Sequence, residues 1–210
     1  SISMKGNNKE FPSKGWILAF HPDLICGTPL GLNIHNYTFF SYCPEEALHL
    51  SLREKQIILE FLERIRQELE RCIDRHSKKI ISKYIELLLD YCTRFYERQF
   101  ITRSEVNKKV FREFNHLLDN HFNVKVSLST DVLSDEYCAN LLHLSPAYFN
   151  DLLKYEIGKE FKEYIQFKRF EIAKGWLVNT DKTLGQIAQE LGFSNSQYFS
   201  RLFKKITGCS

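Results

Sequence analysis

Gln197, Ser200, Arg201 and Lys204 fall at i, i+3, i+4 and i+7 in the closing stretch "SNSQYFSRLFKKITGCS", so a helix there gathers them on one face. Phe199, Leu202, Phe203 and Ile206 occupy the opposite face. The polar stripe has the chemistry of base reading. An amide pairs bidentately with adenine, a guanidinium with guanine, a hydroxyl adds a short polar contact, and a lysine reaches phosphate. Ser196, at the start of the same helix, is counted with this set. Taken alone, such a stripe is an ordinary solvated helix face.

It is not alone. Ser134 pairs with Thr183, Ala139 with Ala188, Leu142 with Leu191 and Ser145 with Ser194, each 49 residues on. Beyond the turn the offset is 50: Tyr148 with Tyr198, Phe149 with Phe199, Leu152 with Leu202, Lys154 with Lys204 and Gly158 with Gly208. One supersecondary unit is therefore present twice. In the first copy the stripe reads Ala147, Asn150, Asp151 and Lys154. Asn150 is its one good base reader, and Ala147 can touch only a thymine methyl. Asp151 is adverse beside phosphates unless it meets a cytosine amino group.

The elements that must position these stripes are legible. Thr183 and Gln186 form a capping box, followed by the apolar Ile187, Ala188 and Leu191. Gly192 stands where a helix ends in a left-handed residue, Phe193 plugs the corner, and Ser194 or Asn195 caps the next helix. Ser145 followed by Pro146 is the matching start in the first copy. A short helix, a tight turn and a second helix make a helix-turn-helix. Between the copies, "KEFKEYIQFKRFEIAKGWLV" reads as one helix. About nineteen residues at ~1.5 Å rise give ~28 Å, against ~34 Å between successive major-groove segments on one face of DNA. A rigid spacer could thus set two recognition helices into adjacent grooves.

Composition bounds the alternatives. The chain has 210 residues, 43% of them hydrophobic and 26% charged, which describes a globular protein. No apolar run is long enough to span a bilayer and the start, "SISMKGNNKE", lacks a secretory pattern, so a cytoplasmic location is expected. Residues 124–210 carry 11 Lys/Arg against 10 Asp/Glu, a balance of only +1, so placement of charge and not its sum must carry any argument for DNA. The six cysteines form no C-x-x-C and read as reduced small hydrophobes. Cys72 and His76, one helical turn apart, lack a second pair to complete a metal site. His21, Cys26 and His35 cluster in sequence without a nucleophile-base pattern, and no Gly-rich phosphate loop occurs. No catalytic residue, metal or cofactor is expected.

Three zones precede or contain the repeat. Residues 1–45 are aromatic and turn-rich, and "WILAF" and "YTFFSY" read as short strands of a β remnant. Residues 46–123 are helical. "SLRE" caps a helix with a seam of Ile58, Leu62, Ile65, Leu69 and Cys72; Ile81, Ile85, Leu88, Cys92 and Phe95 repeat it. A third helix follows "TRSE" and is expected to bury Val106, Val110, Phe114, Leu117 and Leu118. The seams serve either as an intramolecular layer or as a homodimer interface. Residues 124–210 hold the repeat. The fold class is therefore mainly α, a tandem helix-turn-helix after a helical linker or dimerisation region, with a small β remnant in front.

The stretch from Ser134 to Ser210 resembles the DNA-binding domain of the AraC/XylS family of bacterial transcription regulators. The closing "IAQELGFSNSQYFSRLFKKITGCS" is similar to that family's signature, in which I-A-x-x-x-G-F, Y-F-x-R-x-F-K and a following G recur. The resemblance implies a sequence-specific regulator, expected to be an activator, with duplex DNA as partner and RNA polymerase as a further one. It also implies that residues 1–45 end a cupin-like sensor domain, most of which is absent here along with any small-molecule effector site. The family's final Pro and last short helix are absent too, so the chain resembles a piece of a longer regulator. A helical module that docks RNA polymerase or another regulator is the competing expectation; steep loss of duplex binding with salt separates the two.

Overall fold

The computed structural model describes residues 15–124, 133–193 and 195–207, and among them every regular element is helical. Two short helices, α1 (Pro22–Ile25) and α2 (Pro29–Asn33), precede three 3-10 turns at Ile34–Asn36, Thr38–Ser41 and Pro44–Glu46. Long helices follow: α3 (Leu52–Glu70), α4 (Ser77–Thr102) and α5 (Ser104–Val124). The repeat supplies α6 (Asp135–Leu141), α7 (Pro146–Ile157), α8 (Phe161–Asn179), α9 (Leu184–Glu190) and α10 (Ser196–Thr207). Among the described residues no helix is long and apolar enough to cross a membrane.

The chain divides into two compact units, residues up to 35 with 51–91, and residues 36–50 with 92–210. In the first, α3 opens with the expected capping box: Ser51 N–H donates to Glu54 Oε2 at 2.8 Å, and Glu54 N–H donates to Ser51 Oγ. Ile65 is buried on α3, as are Ile81, Ile85, Leu88 and Leu89 on α4. The α4 stripe is thus consumed within a single chain.

Three local expectations are corrected. Residues 16–20 and 37–42 are not strands; the first has no regular structure and the second is mostly the Thr38–Ser41 turn. A strand needs a ladder partner, and aromatic β propensity is realised only on a pleated, half-buried surface. Here the rings meet helices instead, Phe39 stacking on Tyr96 of α4 at 5.4 Å. The α3 seam also ends early. α3 stops at Glu70, Leu69 is exposed, and Asp74 Oδ1 accepts from the N–H groups of His76 and Ser77 to start α4, so Cys72 and His76 share no helical turn. On α5, Val106 is 60% exposed. Asn107 turns inward beside it and donates to the carbonyl of Phe100 at 3.0 Å, rotating the valine outward.

In the second unit, α8 serves two cores. Phe161, Tyr164 and Ile165 pack with Phe114 and Leu118 of α5, Cys138 and Ala139 of α6, and Phe149 and Leu153 of α7. Phe170 and Ala173 pack with Ile187, Ala188 and Leu191 of α9 and its cap, and with Phe199 and Phe203 of α10. Phe114 and Phe199 are fully buried, so truncating either to Ala costs about 3–5 kcal/mol.

Candidate nucleic-acid interface

Each copy is built around the same turn. After α6, Leu144 N–H donates to Ala139 O at 2.9 Å and His143 N–H to Asn140 O at 3.1 Å. After α9, Phe193 N–H donates to Ala188 O at 2.9 Å and Gly192 N–H to Gln189 O at 3.1 Å. Both are Schellman ends, which require a left-handed residue. Gly192 takes it at φ 76°, and His143 takes it in the first copy at φ 57°. The second helices then start on side-chain caps. Ser145 Oγ accepts from Tyr148 N–H, and Asn195 Oδ1 accepts from Gln197 N–H at 2.9 Å. Asn195 is therefore a cap of α10; Ser194 lies outside the described residues.

The two stripes differ in what they touch. On α10, Gln197, Arg201 and Lys204 are exposed and Ser200 is half-buried. The side chains of Ser196 and Ile206 lie outside those described, and Gly208 outside the described residues. On α7, Asn150 Nδ2 donates to Asp135 Oδ2 at 2.9 Å and to Pro146 O at 3.1 Å. Lys154 Nζ stands 3.0 Å from Glu160 Oε1. Asp151 Oδ2 accepts from Thr38 Oγ1 and, at 2.7 Å, from the Tyr42 hydroxyl. Ala147 is half-buried. The first stripe is thus held by intramolecular partners, and Gln197, Arg201 and Lys204 of the second are exposed to solvent.

Residues 36–50 hold Asp151 and the start of α7, a role invisible in their sequence. Tyr42 sits edge-on to Tyr148 at 5.1 Å and packs beside Phe100 and Leu152. Burial, followed by the charge of Asp151, pushes its hydroxyl well above the usual tyrosine range. Glu46 is buried at 4% exposure and takes the N-terminus of α7. Its Oε1 accepts from Ser145 N–H at 2.7 Å, and its Oε2 accepts from Ser145 Oγ and from Cys43 N–H. A carboxylate is favoured there by the helix dipole and by three donors. No local pattern marks Glu46 or Tyr42 for this, because their partners lie about a hundred residues away.

The arrangement offers a groove-sized helix with an amide, a guanidinium and an ammonium on its open face, on a rigid scaffold. It also matches known proteins. A family model described as "Helix-turn-helix domain" covers residues 138–210. The HTH-type transcriptional regulator YtdP of Bacillus subtilis is 34% identical over 104 residues, 50% of this chain and 14% of its own length. The bifunctional transcriptional activator/DNA repair enzyme AdaA of the same organism is 40% identical over 79 residues, 38% of this chain and 37% of its own. The arabinose operon regulatory protein of Salmonella typhimurium is 29% identical over 96 residues, 46% of this chain and 30% of its own. The chain therefore spans well under half the length of these relatives. No solved structure matches it. Residues 138–210 are a helix-turn-helix domain of the AraC type, and through it the chain is similar to transcription regulators of the AraC family.

Proposed function

We propose that this chain binds duplex DNA sequence-specifically with α10 as its principal reader, and with α7 engaging an adjacent groove chiefly as a positioning element. The observation that carries this is the open stripe of Gln197, Arg201 and Lys204, set against the intramolecular engagement of Asn150, Asp151 and Lys154. Gln197 and Arg201 are suited to adenine and guanine, and Lys204 to phosphate. Together they read few base pairs, so affinity rests on phosphate contacts and falls steeply with salt.

The proposed sign of regulation is activation, by likeness to AdaA, which is named a transcriptional activator. RNA polymerase is the protein partner proposed with it, in the cytoplasm, and we propose no catalytic role for the residues described. A homodimer would have to use apolar side chains outside the α4 stripe, because Ile85 and Leu88 are already buried. An effector held by an upstream sensor domain remains part of the proposal for the whole regulator.

The test is selection of bound fragments from a random duplex pool, followed by titration of the winner and a scrambled duplex at two salt concentrations. Enrichment of one motif, with a salt-dependent affinity for it, is expected. Recovery of no motif, together with salt-insensitive capture of RNA polymerase, would replace DNA reading with protein docking.

A further inference from the structure

The Thr38–Ser41 turn, the second half of α4 and α7 enclose a cavity of about 390 Å³, a size typical of small-molecule sites at roughly 300–1,000 Å³. Two stacked ring pairs line it, Phe39 on Tyr96 at 5.4 Å and Phe100 on Tyr155 at 5.6 Å. Two carboxylates line it as well. Glu97 is exposed, and Asp151 directs both of its hydroxyl bonds to Oδ2. The lining cation, Lys154, has its ammonium 3.0 Å from Glu160. The walls are therefore aromatic and net negative.

That chemistry narrows the ligand. An anion would face two carboxylates. Calcium or magnesium needs about six oxygen ligands, and among the described residues no group of three His, Cys, Asp or Glu is placed to hold any metal ion. A neutral apolar molecule would leave the carboxylates unused. A cation with alkyl substituents suits both features, since ring faces attract positive charge and the acids complete the recognition. The same reading explains an acid on a DNA-binding helix. Asp151 occupies the place that Arg201 holds in the second copy, fifty residues on; an acid suits a cation and not a phosphate.

We propose that this cavity binds a small organic cation of the quaternary or alkylated ammonium class, held by the rings of Phe39, Tyr96, Phe100 and Tyr155 and the carboxylates of Asp151 and Glu97. Occupancy competes for the carboxylate that Thr38 and Tyr42 grip, so the ligand is coupled to the position of α7. The inference rests on the cavity and is independent of which helix reads DNA.

Choline and its uncharged isostere 3,3-dimethyl-1-butanol, each titrated calorimetrically into the full chain, make the test. Choline is expected to bind, with the isostere about tenfold weaker or more. Glu97→Gln alters an exposed side chain and is expected to weaken choline about threefold or more while leaving the melting temperature and the duplex affinity without choline unchanged. Tyr96→Leu is expected to weaken it further. Absence of choline binding at about 50 mM, equal binding of the isostere, or unchanged choline affinity in Glu97→Gln would each overturn the proposal. Duplex binding measured on the same samples fails separately, and its loss in the parent would bear on the DNA reading alone.

Discussion

The Tyr42 hydroxyl donates to the Asp151 carboxylate at 2.7 Å, joining positions 109 residues apart in the chain. The bond fixes a turn of the preceding segment to a helix of the repeat, and it occupies the one carboxylate of the first polar stripe.

Asp151→Asn therefore acts on stability before it acts on DNA. Removing a charged acceptor shared by two hydroxyls should cost about 1–3 kcal/mol. Tyr42→Phe should cost a comparable amount, and the double variant less than the sum, because the two residues share one interaction. Urea denaturation of the four proteins checks this; fully additive losses would show that the bond contributes nothing of its own.

Alkaline pH should release the same bond. Burial and the Asp151 charge hold the folded Tyr42 hydroxyl above its unfolded value. The protonated form therefore contributes stability in full below the unfolded value of about 10, and the contribution is lost as pH rises above it toward the folded value. Denaturation of the parent should weaken across this range more than that of Tyr42→Phe. Identical pH profiles for the two would assign the loss to other groups.

The two polar stripes should respond differently to truncation. Arg201→Ala should cost about 1–3 kcal/mol against the selected duplex and relax one base position. Lys204→Ala should weaken all duplexes alike and lower the salt slope by about one. Asn150→Ala should change the selected motif little, since its amide already serves Asp135 and Pro146. Competition titrations against single-base variants decide it; if Asn150→Ala erases specificity while Arg201→Ala does not, α7 is the reader.

His143→Gly should stabilise the fold by about 0.5–1 kcal/mol, because a left-handed conformation strains a residue with a Cβ and glycine adopts it freely. Gly192→Ala, at the equivalent turn, should cost about 1 kcal/mol or more. Thermal melts of both variants supply the test, and a destabilised His143→Gly would mean that the imidazole itself holds the turn.

Much of this molecule was legible from residue order because its signals are local. The Thr183–Gln186 box, the cap at Ser145 and the left-handed Gly192 are each settled within four residues, and all stand in the structure as read. The strands expected at residues 16–20 and 37–42 failed on the same ground. Phe39 and Tyr42 carry strong β propensity, and only the distant rings of Tyr96 and Tyr148 reveal that helices will receive them. Spacing picked out Gln197, Ser200, Arg201 and Lys204 as one polar stripe, and Gln197, Arg201 and Lys204 of it are exposed. Spacing could not show that Asn150, Asp151 and Lys154 would find partners of their own, since their engagement depends on Asp135, Thr38, Tyr42 and Glu160.

α8 spends its first turns in one core and its later turns in the other, with Ile165 and Phe170 only five residues apart. The helix therefore acts as a ruler with a fixed phase. One residue inserted between Ile165 and Phe170 would turn the following core positions by about 100° and advance them by about 1.5 Å. Both cores could then be kept only by repacking one of them. Length variation should be tolerated in the turns and excluded from this stretch, and DNA sites contacted by both units should be separated by an invariant number of base pairs.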